Sequence, residues 1–182
     1  WIQLRMKDAD EMSLEQTARI VREMCSEVNA TFIIDDNVLM ARKVGADGVH
    51  LGKNDMPVAE ARKLLGSVYI IGGTVNTFAD IESMHRSGAV DYLGCGPFRF
   101  TSTKKNLSPV LGIAGYRSVV AMMRKAGISI PIVAIGGICK EDVRQLLEVG
   151  VDGIALSSSV LCADDPVEEM RRIVAIVNEF SE

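Results

Sequence analysis

Two basic side chains near the start of the chain have the type and spacing to bind an anion. Arg5 and Lys7 follow a short apolar stretch, and Gln3 lies two positions before Arg5. Residues two apart in a strand point to the same face, so these three side chains share one face. Clustered cations are costly to desolvate unless they meet an anion, and a diphosphate would satisfy both. The alternative is pairing with carboxylates of the protein itself; the pattern favours the anion.

Acidic residues follow the next two apolar stretches. Asp35 and Asp36 come after Phe32–Ile34, and Asp55 comes shortly after Gly48–Leu51. Adjacent strands would bring Asp36 and Asp55 close together. Two carboxylates without His or Cys suit Mg²⁺, which takes few protein oxygens and completes its shell with water and phosphate. Helix capping by Asp36 or Asn37 and a turn role for Asp55 are the alternative, and these residues alone leave both interpretations open.

Small and hydroxyl-bearing residues follow the fourth and fifth apolar stretches, where they could contact a ligand. Thr74 follows a pair of glycines and either presents a hydroxyl or makes a turn. The stretch from Gly94 continues through Gly-Pro to Thr101, Thr103 and Lys104. Glycines let the backbone approach a ligand closely, and threonine and lysine contact phosphate or hydroxyl groups well. A surface loop could hold the same residues, but this run is unusually specific.

A phosphate-binding turn is predicted in the last third of the chain. Gly136 and Gly137 follow one apolar stretch, and Ser157 and Ser158 follow the next. Backbone N–H groups at such turns, with a helix N-terminus, bind a phosphomonoester. A tight turn would explain the glycines but not the position of the serines.

Seven short stretches, apolar on both faces, are predicted as strands of a covered parallel sheet. They are Ile2–Leu4, Phe32–Ile34, Gly48–Leu51, Tyr69–Gly72, Tyr92–Gly94, Ile132–Ile135 and Ile154–Leu156. Amphipathic stretches between them predict helices with recognisable start signals. The helices are one from a Ser13–Gln16 capping box to about Glu27, one capped by Asn37 through Val44, one from Pro57 in the first helical position to Leu65, Phe78–Arg86 capped by Thr77, Gly112–Lys125, Lys140–Val149, and one from Asp165–Pro166 to Phe180.

Three of the turns that lead from a helix to the next strand share a pattern. Each has a glycine in the helix C-cap role and then an aspartate just before the strand, at Gly45–Gly48, Gly88–Asp91 and Gly150–Gly153. Repeated turns of one kind favour a quasi-symmetric ring over an open sheet. The α/β pattern therefore predicts a (β/α)8 TIM barrel, with an open doubly wound sheet as the second choice.

Composition limits the function classes. The 182 residues are 48% hydrophobic and 24% charged, with a formal net charge of −4. This predicts one folded domain over 1–182 and no membrane span, and the mild acidity argues against a nucleic-acid partner. Four widely spaced cysteines predict buried thiols in a reducing compartment, so we expect a cytoplasmic protein. A homo-oligomer stays open.

Together these stretches resemble the thiamine-phosphate synthase (thiamine-phosphate pyrophosphorylase) family. The matching segments are Gln3-Leu4-Arg5-x-Lys7, Ile34-Asp35-Asp36, Gly45-Ala46-Asp47-Gly48-Val49-His50-Leu51-Gly52, Gly94-x-Gly96-Pro97, Thr101-x-Thr103-Lys104 and Ala134-Ile135-Gly136-Gly137-Ile138. Each segment alone is weak, but in family order over nearly the whole chain they are highly specific.

The resemblance implies a transferase that joins a hydroxymethylpyrimidine diphosphate to a thiazole phosphate and releases pyrophosphate. It implies Mg²⁺ as cofactor, held by Asp36 and Asp55, and two small phosphorylated substrates. The implied pyrimidine-diphosphate residues are Gln3, Arg5, Lys7, Asp35, Thr74 and Lys104, of which Arg5, Lys7 and Lys104 are the implied catalytic residues. The implied thiazole-phosphate residues are Thr101, Thr103, Gly137, Ser157 and Ser158.

The chain departs from the family pattern at three positions. Asp35 stands where Asn is usual, Thr74 where Ser is usual, and Lys53 where Gln is usual. None of these changes removes a residue essential to the mechanism. The alternatives are a thiazole tautomerase, a non-catalytic phosphate-binding barrel, and another phosphosugar barrel. The last two leave Thr-x-Thr-Lys or the paired aspartates unexplained.

The two histidines bear on the tautomerase alternative, and the first residues bear on the completeness of the barrel. A tautomerase would need a histidine for acid/base work, but His50 and His85 fit structural roles better. Gln3-Leu4-Arg5-x-Lys7 resembles the second strand of the family, which predicts an N-terminally incomplete barrel without its first strand and helix.

Overall fold

The structure, a computed structural model, describes residues 1–100 and 109–180, and in these ranges seven strands alternate with helices. The strands are β1 (Ile2–Leu4), β2 (Phe32–Asp35), β3 (Gly48–Leu51), β4 (Ile70–Val75), β5 (Tyr92–Cys95), β6 (Ile132–Ile135) and β7 (Gly153–Ala155). The helices are α1 (Glu11–Glu27), α2 (Val38–Val44), α3 (Val58–Leu65), α4 (Phe78–Ser87), α5 (Gly112–Ala126), α6 (Lys140–Val149), α7 (Ser158–Leu161) and α8 (Pro166–Asn178).

The predicted strands are confirmed in place and order, but four have different limits. β2 and β5 each extend one residue further than predicted, to Asp35 and Cys95. β4 extends to Val75, so Thr74 lies inside the strand and not in the loop after it. β7 begins at Gly153 and ends at Ala155, earlier than the predicted Leu156. Glycines and threonine in β4 hide its C-terminal half from a hydrophobicity pattern.

The first helix begins earlier than the predicted capping box. Asp10 is its N-cap, since the Asp10 carboxylate accepts both the Ser13 backbone N–H, at 3.0 Å, and the Ser13 hydroxyl, at 2.6 Å. Ser13 is therefore a donor in the first turn, and the capping box of Ser13 and Gln16 is wrong. A carboxylate at this end also interacts favourably with the helix dipole.

The other helix limits are close to the predictions. Asn37 caps α2 by accepting the Met40 N–H at 2.9 Å, as predicted. Pro57 is the N-cap of α3 and not its first helical residue. The four-residue helix α7 is too short for a hydrophobic period, and the sequence did not predict it.

The chain divides into two compact units. The first contains residues 1–74 and 83–92. In it β1, β2, β3 and β4 pair in parallel and in chain order, with Leu4 opposite Ile34 and Asp35 opposite His50. Phe32, Ile34 and other fully buried side chains form its core.

The second unit contains residues 75–82 and 93–182. Here β5, β6 and β7 pair in parallel, with Cys95 opposite Ala134. Helix α6 packs against α5 and α8, and buried Val143, Val160 and Ile173 form a cluster among α6, α7 and α8. The α/β class with parallel strands is thus confirmed, whereas a closed eight-stranded barrel and a single domain stay predictions. No helix among the described residues has the length and apolarity to cross a bilayer.

The repeated glycine–aspartate turns are confirmed, and the structure explains them. The three glycines, Gly45, Gly88 and Gly150, have φ of 68°, 59° and 96°, in the left-handed region. Each aspartate carboxylate accepts a backbone N–H near the start of the preceding strand. The pairs are Asp47 with Phe32 at 2.7 Å, Asp91 with Ile71 at 2.7 Å, and Asp152 with Ile132 at 2.8 Å. These aspartates therefore fasten the N-terminal ends of strands.

Candidate active site

Four charged side chains meet where β1, β2 and β3 end. Arg5 Nε lies 3.6 Å from Asp36 Oδ2, and Lys7 Nζ lies 3.7 Å from the same oxygen. Lys7 Nζ is also 3.7 Å from Asp55 Oδ1. The predicted proximity of Asp36 and Asp55 is therefore confirmed. Both cations stand against carboxylates of the protein, at distances longer than direct hydrogen bonds, so phosphate oxygens could replace these contacts.

A strained turn positions Asp36. Its φ is 69°, which is uncommon for a residue with a side chain. The Asn37 N–H donates to the Asp35 carbonyl across Asp36 at 2.9 Å, the hydrogen bond of a γ-turn. The Asp36 N–H donates to the His50 carbonyl on the neighbouring strand, also at 2.9 Å. The backbone thus fixes this carboxylate at the strand end and leaves Asn37 to cap α2.

A tight turn after β3 positions Asp55. Its Oδ2 accepts the Gly52 N–H at 2.7 Å, which leaves Oδ1 for the Lys7 ammonium. A Cβ at Gly52 would lie 2.8 Å from Asp55 Oδ2. A larger residue at position 52 would therefore displace the Asp55 carboxylate from this position.

The electrostatics of this cluster fit a divalent cation. Burial raises the pKa of Asp36, and the nearby Asp55 carboxyl raises it further, while Lys7 and Arg5 oppose the shift. Asp36 Oδ2 is buried and accepts no hydrogen bond. Within 1–100 and 109–180 no three His, Cys, Asp or Glu residues converge on one metal position. The site thus offers two carboxylates, which matches the few protein ligands that Mg²⁺ uses beside water and phosphate.

A buried hydrogen-bond chain lies in the same unit. Gln3 Nε2 donates to Tyr92 Oη at 2.8 Å, Tyr92 Oη is 3.0 Å from His50 Nδ1, and His50 Nε2 is 2.9 Å from Thr74 Oγ1. It connects two predicted pyrimidine-site residues through two side chains that the sequence did not assign to the site. Asp35 ends β2, and its charge adds to burial in raising the pKa of Tyr92.

In the second unit, an arginine fastens the predicted phosphate-binding turn. Gly136 and Gly137 have φ of 88° and 70°. The Arg99 guanidinium donates to the Gly137 carbonyl at 2.7 Å and to both oxygens of Asp142 at 2.9 Å. Asp142 Oδ2 also accepts the Cys139 N–H at 2.9 Å. The sequence missed Arg99 and Asp142, although Arg99 stands in a segment that it singled out.

Burial alone would raise the pKa of Asp142. Hydrogen bonds from Arg99 and Cys139 outweigh burial, so its pKa is lowered below the ordinary value. The pair therefore stays ionised at neutral pH and holds the turn.

The remaining predicted residues fall into two groups. Ser157 precedes α7, Ser158 is its first residue, and both are exposed. The Val160 N–H donates to the Ser157 carbonyl at 3.0 Å. Thr101, Thr103 and Lys104 lie outside the described residues, so their roles stay predictions.

Comparison with known proteins gives one family. A family model described as thiamine monophosphate synthase matches residues 1–160. The thiamine-phosphate synthase of Phocaeicola vulgatus is 57% identical over 174 residues, which cover 96% of this chain and 83% of that protein. The thiamine-phosphate synthase of Pyrococcus abyssi is 41% identical over 176 residues, 95% of this chain and 81% of that protein.

A solved structure agrees with the sequence matches. The thiamine phosphate pyrophosphorylase of Pyrococcus furiosus superposes with a TM-score of 0.86 at 36% identity, covering 98% of this chain and 83% of that chain. The matches span nearly all of the chain, and the chain therefore belongs to the thiamine monophosphate synthase family.

Proposed function

We propose that this protein joins a hydroxymethylpyrimidine diphosphate to a thiazole phosphate, producing thiamine phosphate and pyrophosphate. The observation that carries the proposal is the cluster of Arg5, Lys7, Asp36 and Asp55 in a chain of this family. It combines two cations for a diphosphate with two carboxylates for a divalent cation. A tautomerase or a passive phosphate-binding barrel would give this combination no task.

The reaction asks for charge neutralisation and positioning. The aminopyrimidine ring stabilises a methylene cation once pyrophosphate leaves, so no nucleophile of the protein is needed. Arg5 and Lys7 exchange their loose contacts with Asp36 for phosphate oxygens, which neutralises the leaving group as its charge grows. The thiazole nitrogen then attacks the methylene carbon while the site holds it in line.

Asp36 and Asp55 would hold Mg²⁺. When bound, the ion supplies positive charge to the diphosphate oxygens. The Gly52 N–H fixes the Asp55 carboxylate, and the γ-turn fixes Asp36, before substrate arrives. Such preorganisation lowers the cost of ordering the site during the reaction.

The thiazole phosphate would bind to the second unit. The left-handed turn at Gly136 and Gly137 and the start of α7 at Ser157 and Ser158 offer backbone N–H groups and hydroxyls. Thr101 and Thr103 complete the proposed thiazole contacts, whereas Lys104 is proposed to bind the pyrimidine diphosphate. A cytoplasmic location and an oligomer remain predictions.

The test measures product formation. The purified protein is incubated with both substrates and Mg²⁺, and thiamine phosphate and pyrophosphate are quantified, with matched reactions that lack one substrate or contain EDTA. We expect equal amounts of both products and loss of turnover in EDTA. Absence of thiamine phosphate with active control enzyme in parallel would refute the proposed function.

A further inference from the structure

The hydrogen-bond chain from Gln3 to Thr74 passes through two residues to which the proposed reaction gives no role. Tyr92 and His50 are 4% and 8% exposed, whereas Gln3 is exposed. An exposed glutamine loses rotamer entropy when it is held in one orientation, so its order must come from a fixed partner. The hydroxyl of Tyr92 is that partner, at 2.8 Å.

We propose that Tyr92 and His50 are positioning residues that fix the amide of Gln3 for recognition of the aminopyrimidine ring. The inference rests on the proposed function, since it concerns the pyrimidine substrate of that site. Neither residue touches the reacting atoms. Both act through Gln3.

One consistent set of donor and acceptor roles runs along the hydrogen-bond chain. The Gln3 amide nitrogen can only donate, so Tyr92 Oη accepts from it. The His50 tautomer that suits this direction accepts the Tyr92 proton at Nδ1 and donates from Nε2 to Thr74 Oγ1. In this tautomer every group of the chain has a partner, and the Gln3 amide nitrogen is held on the Tyr92 hydroxyl.

The fixed amide has the pattern that an aminopyrimidine needs. With one N–H on Tyr92, Gln3 keeps a second N–H and its carbonyl oxygen for a ligand. A donor beside an acceptor matches a ring nitrogen beside an exocyclic amine, as in bidentate amide recognition of adenine. Without the Tyr92 hydroxyl the amide can rotate by half a turn and present the two groups in the wrong order.

A glycine in β4 leaves the space that this arrangement needs. A Cβ on Gly72 of β4 would lie 2.2 Å from the Tyr92 ring and 2.5 Å from His50 Nδ1. The two rings therefore occupy the space over a glycine in mid-strand, where glycine normally weakens a sheet. This packing holds Tyr92 and His50 in place.

The first experiment compares Tyr92→Phe with wild type in steady-state kinetics. We expect the KM for the pyrimidine diphosphate to rise roughly 3- to 10-fold, the effect of one lost orienting hydrogen bond. The KM for the thiazole phosphate and kcat should stay within about twofold. His50→Gln is the second variant and should shift the same KM if Tyr92→Phe does not fold.

Two controls separate positioning from structure. Tyr116→Phe also removes a fully buried hydroxyl, which donates to the Cys95 carbonyl, so it should lower thermal stability and leave the pyrimidine KM unchanged. Binding of inorganic pyrophosphate, which lacks the ring, should be equal in wild type and Tyr92→Phe. Weaker pyrophosphate binding in Tyr92→Phe would mean general damage and would overturn the proposal.

A double-mutant cycle tests whether Tyr92 acts through Gln3. On a Gln3→Ala background, Tyr92→Phe should add no further rise in KM. An undiminished rise there, or equal rises for both substrates, would overturn the inference. Calorimetric binding of the pyrimidine diphosphate alone repeats the comparison without turnover. Wild-type binding with no product formation would refute the proposed function and leave this comparison intact, and absence of wild-type binding would overturn both.

Discussion

Replacing Arg99 by methionine would test the fastening of the Gly137 turn. The change removes both hydrogen bonds to Asp142, whose side chain is 6% exposed, while Asp142 keeps the N–H of Cys139. A hydrogen bond to a charged group contributes about 1.5–3 kcal/mol. Arg99 itself is 52% exposed, and solvent screening reduces its contribution. We therefore expect a loss near the low end, about 2 kcal/mol.

The pH dependence of this loss has a definite sign. The folded-state pKa of Asp142 is lowered, so the stabilisation is complete above the unfolded pKa of about 4. It is lost as pH falls through the folded pKa, because protonation neutralises the partner of Arg99. The stability gap between wild type and Arg99→Met should therefore be full at pH ~7 and narrow below about pH 4.

Urea unfolding at several pH values measures the gap. With a slope of about 2–3 kcal/mol per molar urea, the midpoint at neutral pH should fall by roughly 0.7–1 M. Arg144→Met is the matched control, since Arg144 pairs with Glu179 where both side chains are more than half exposed, and it should change the midpoint little. Equal midpoints for Arg99→Met and wild type, or a gap that does not change with pH, would refute the reasoning.

Two further predictions concern the substrate sites. Asp36→Ala should lower kcat/KM by about 100-fold or more, and extra Mg²⁺ should partly restore turnover because Asp55 remains; a normal rate in a Mg²⁺ titration would exclude the metal role. Ser158→Ala should raise the KM for the thiazole phosphate several-fold with kcat unchanged, since only phosphate binding is weakened; an unchanged KM would leave backbone contacts alone at that position.

The parts of the fold that depend on neighbouring residues could be predicted from the sequence. Apolar runs located the strands, and the glycine and aspartate of each repeated turn act within that turn and the adjacent strand. The start of α1 was missed although its signal is local. Asp10 and Ser13 are three positions apart, and both residue types favour the N-cap position. Asp10 is the cap, because its carboxylate reaches the free Ser13 N–H of the first turn.

Site residues could be predicted from the sequence where their type and their place at a strand end were enough. Residues whose role depends on a partner far away in the sequence were missed. Arg5 and Asp36 follow from the rule that chemistry concentrates at strand ends. Tyr92 pairs with Gln3 across 89 positions, and Arg99 pairs with Asp142 across 43. A single sequence carries no signal for such pairs. The positive φ of Asp36 was also beyond reach, because the γ-turn forms only with the neighbouring strand in place.

Two classes of aspartate explain how a mildly acidic chain can serve anionic substrates. Asp47, Asp91 and Asp152 accept strand N–H groups at the N-terminal ends of strands. Asp47 and Asp91 also pair directly with Arg22 and Arg62, so their charge is satisfied within the protein. Asp36 and Asp55, at the opposite strand ends, face ammonium and guanidinium groups, and Asp36 keeps an oxygen without a hydrogen bond. In the proposed function their charge would hold a divalent cation, and that ion together with Arg5 and Lys7 would make these strand ends net positive. The net charge of −4 therefore describes the scaffold, whereas the strand ends decide which ligands bind.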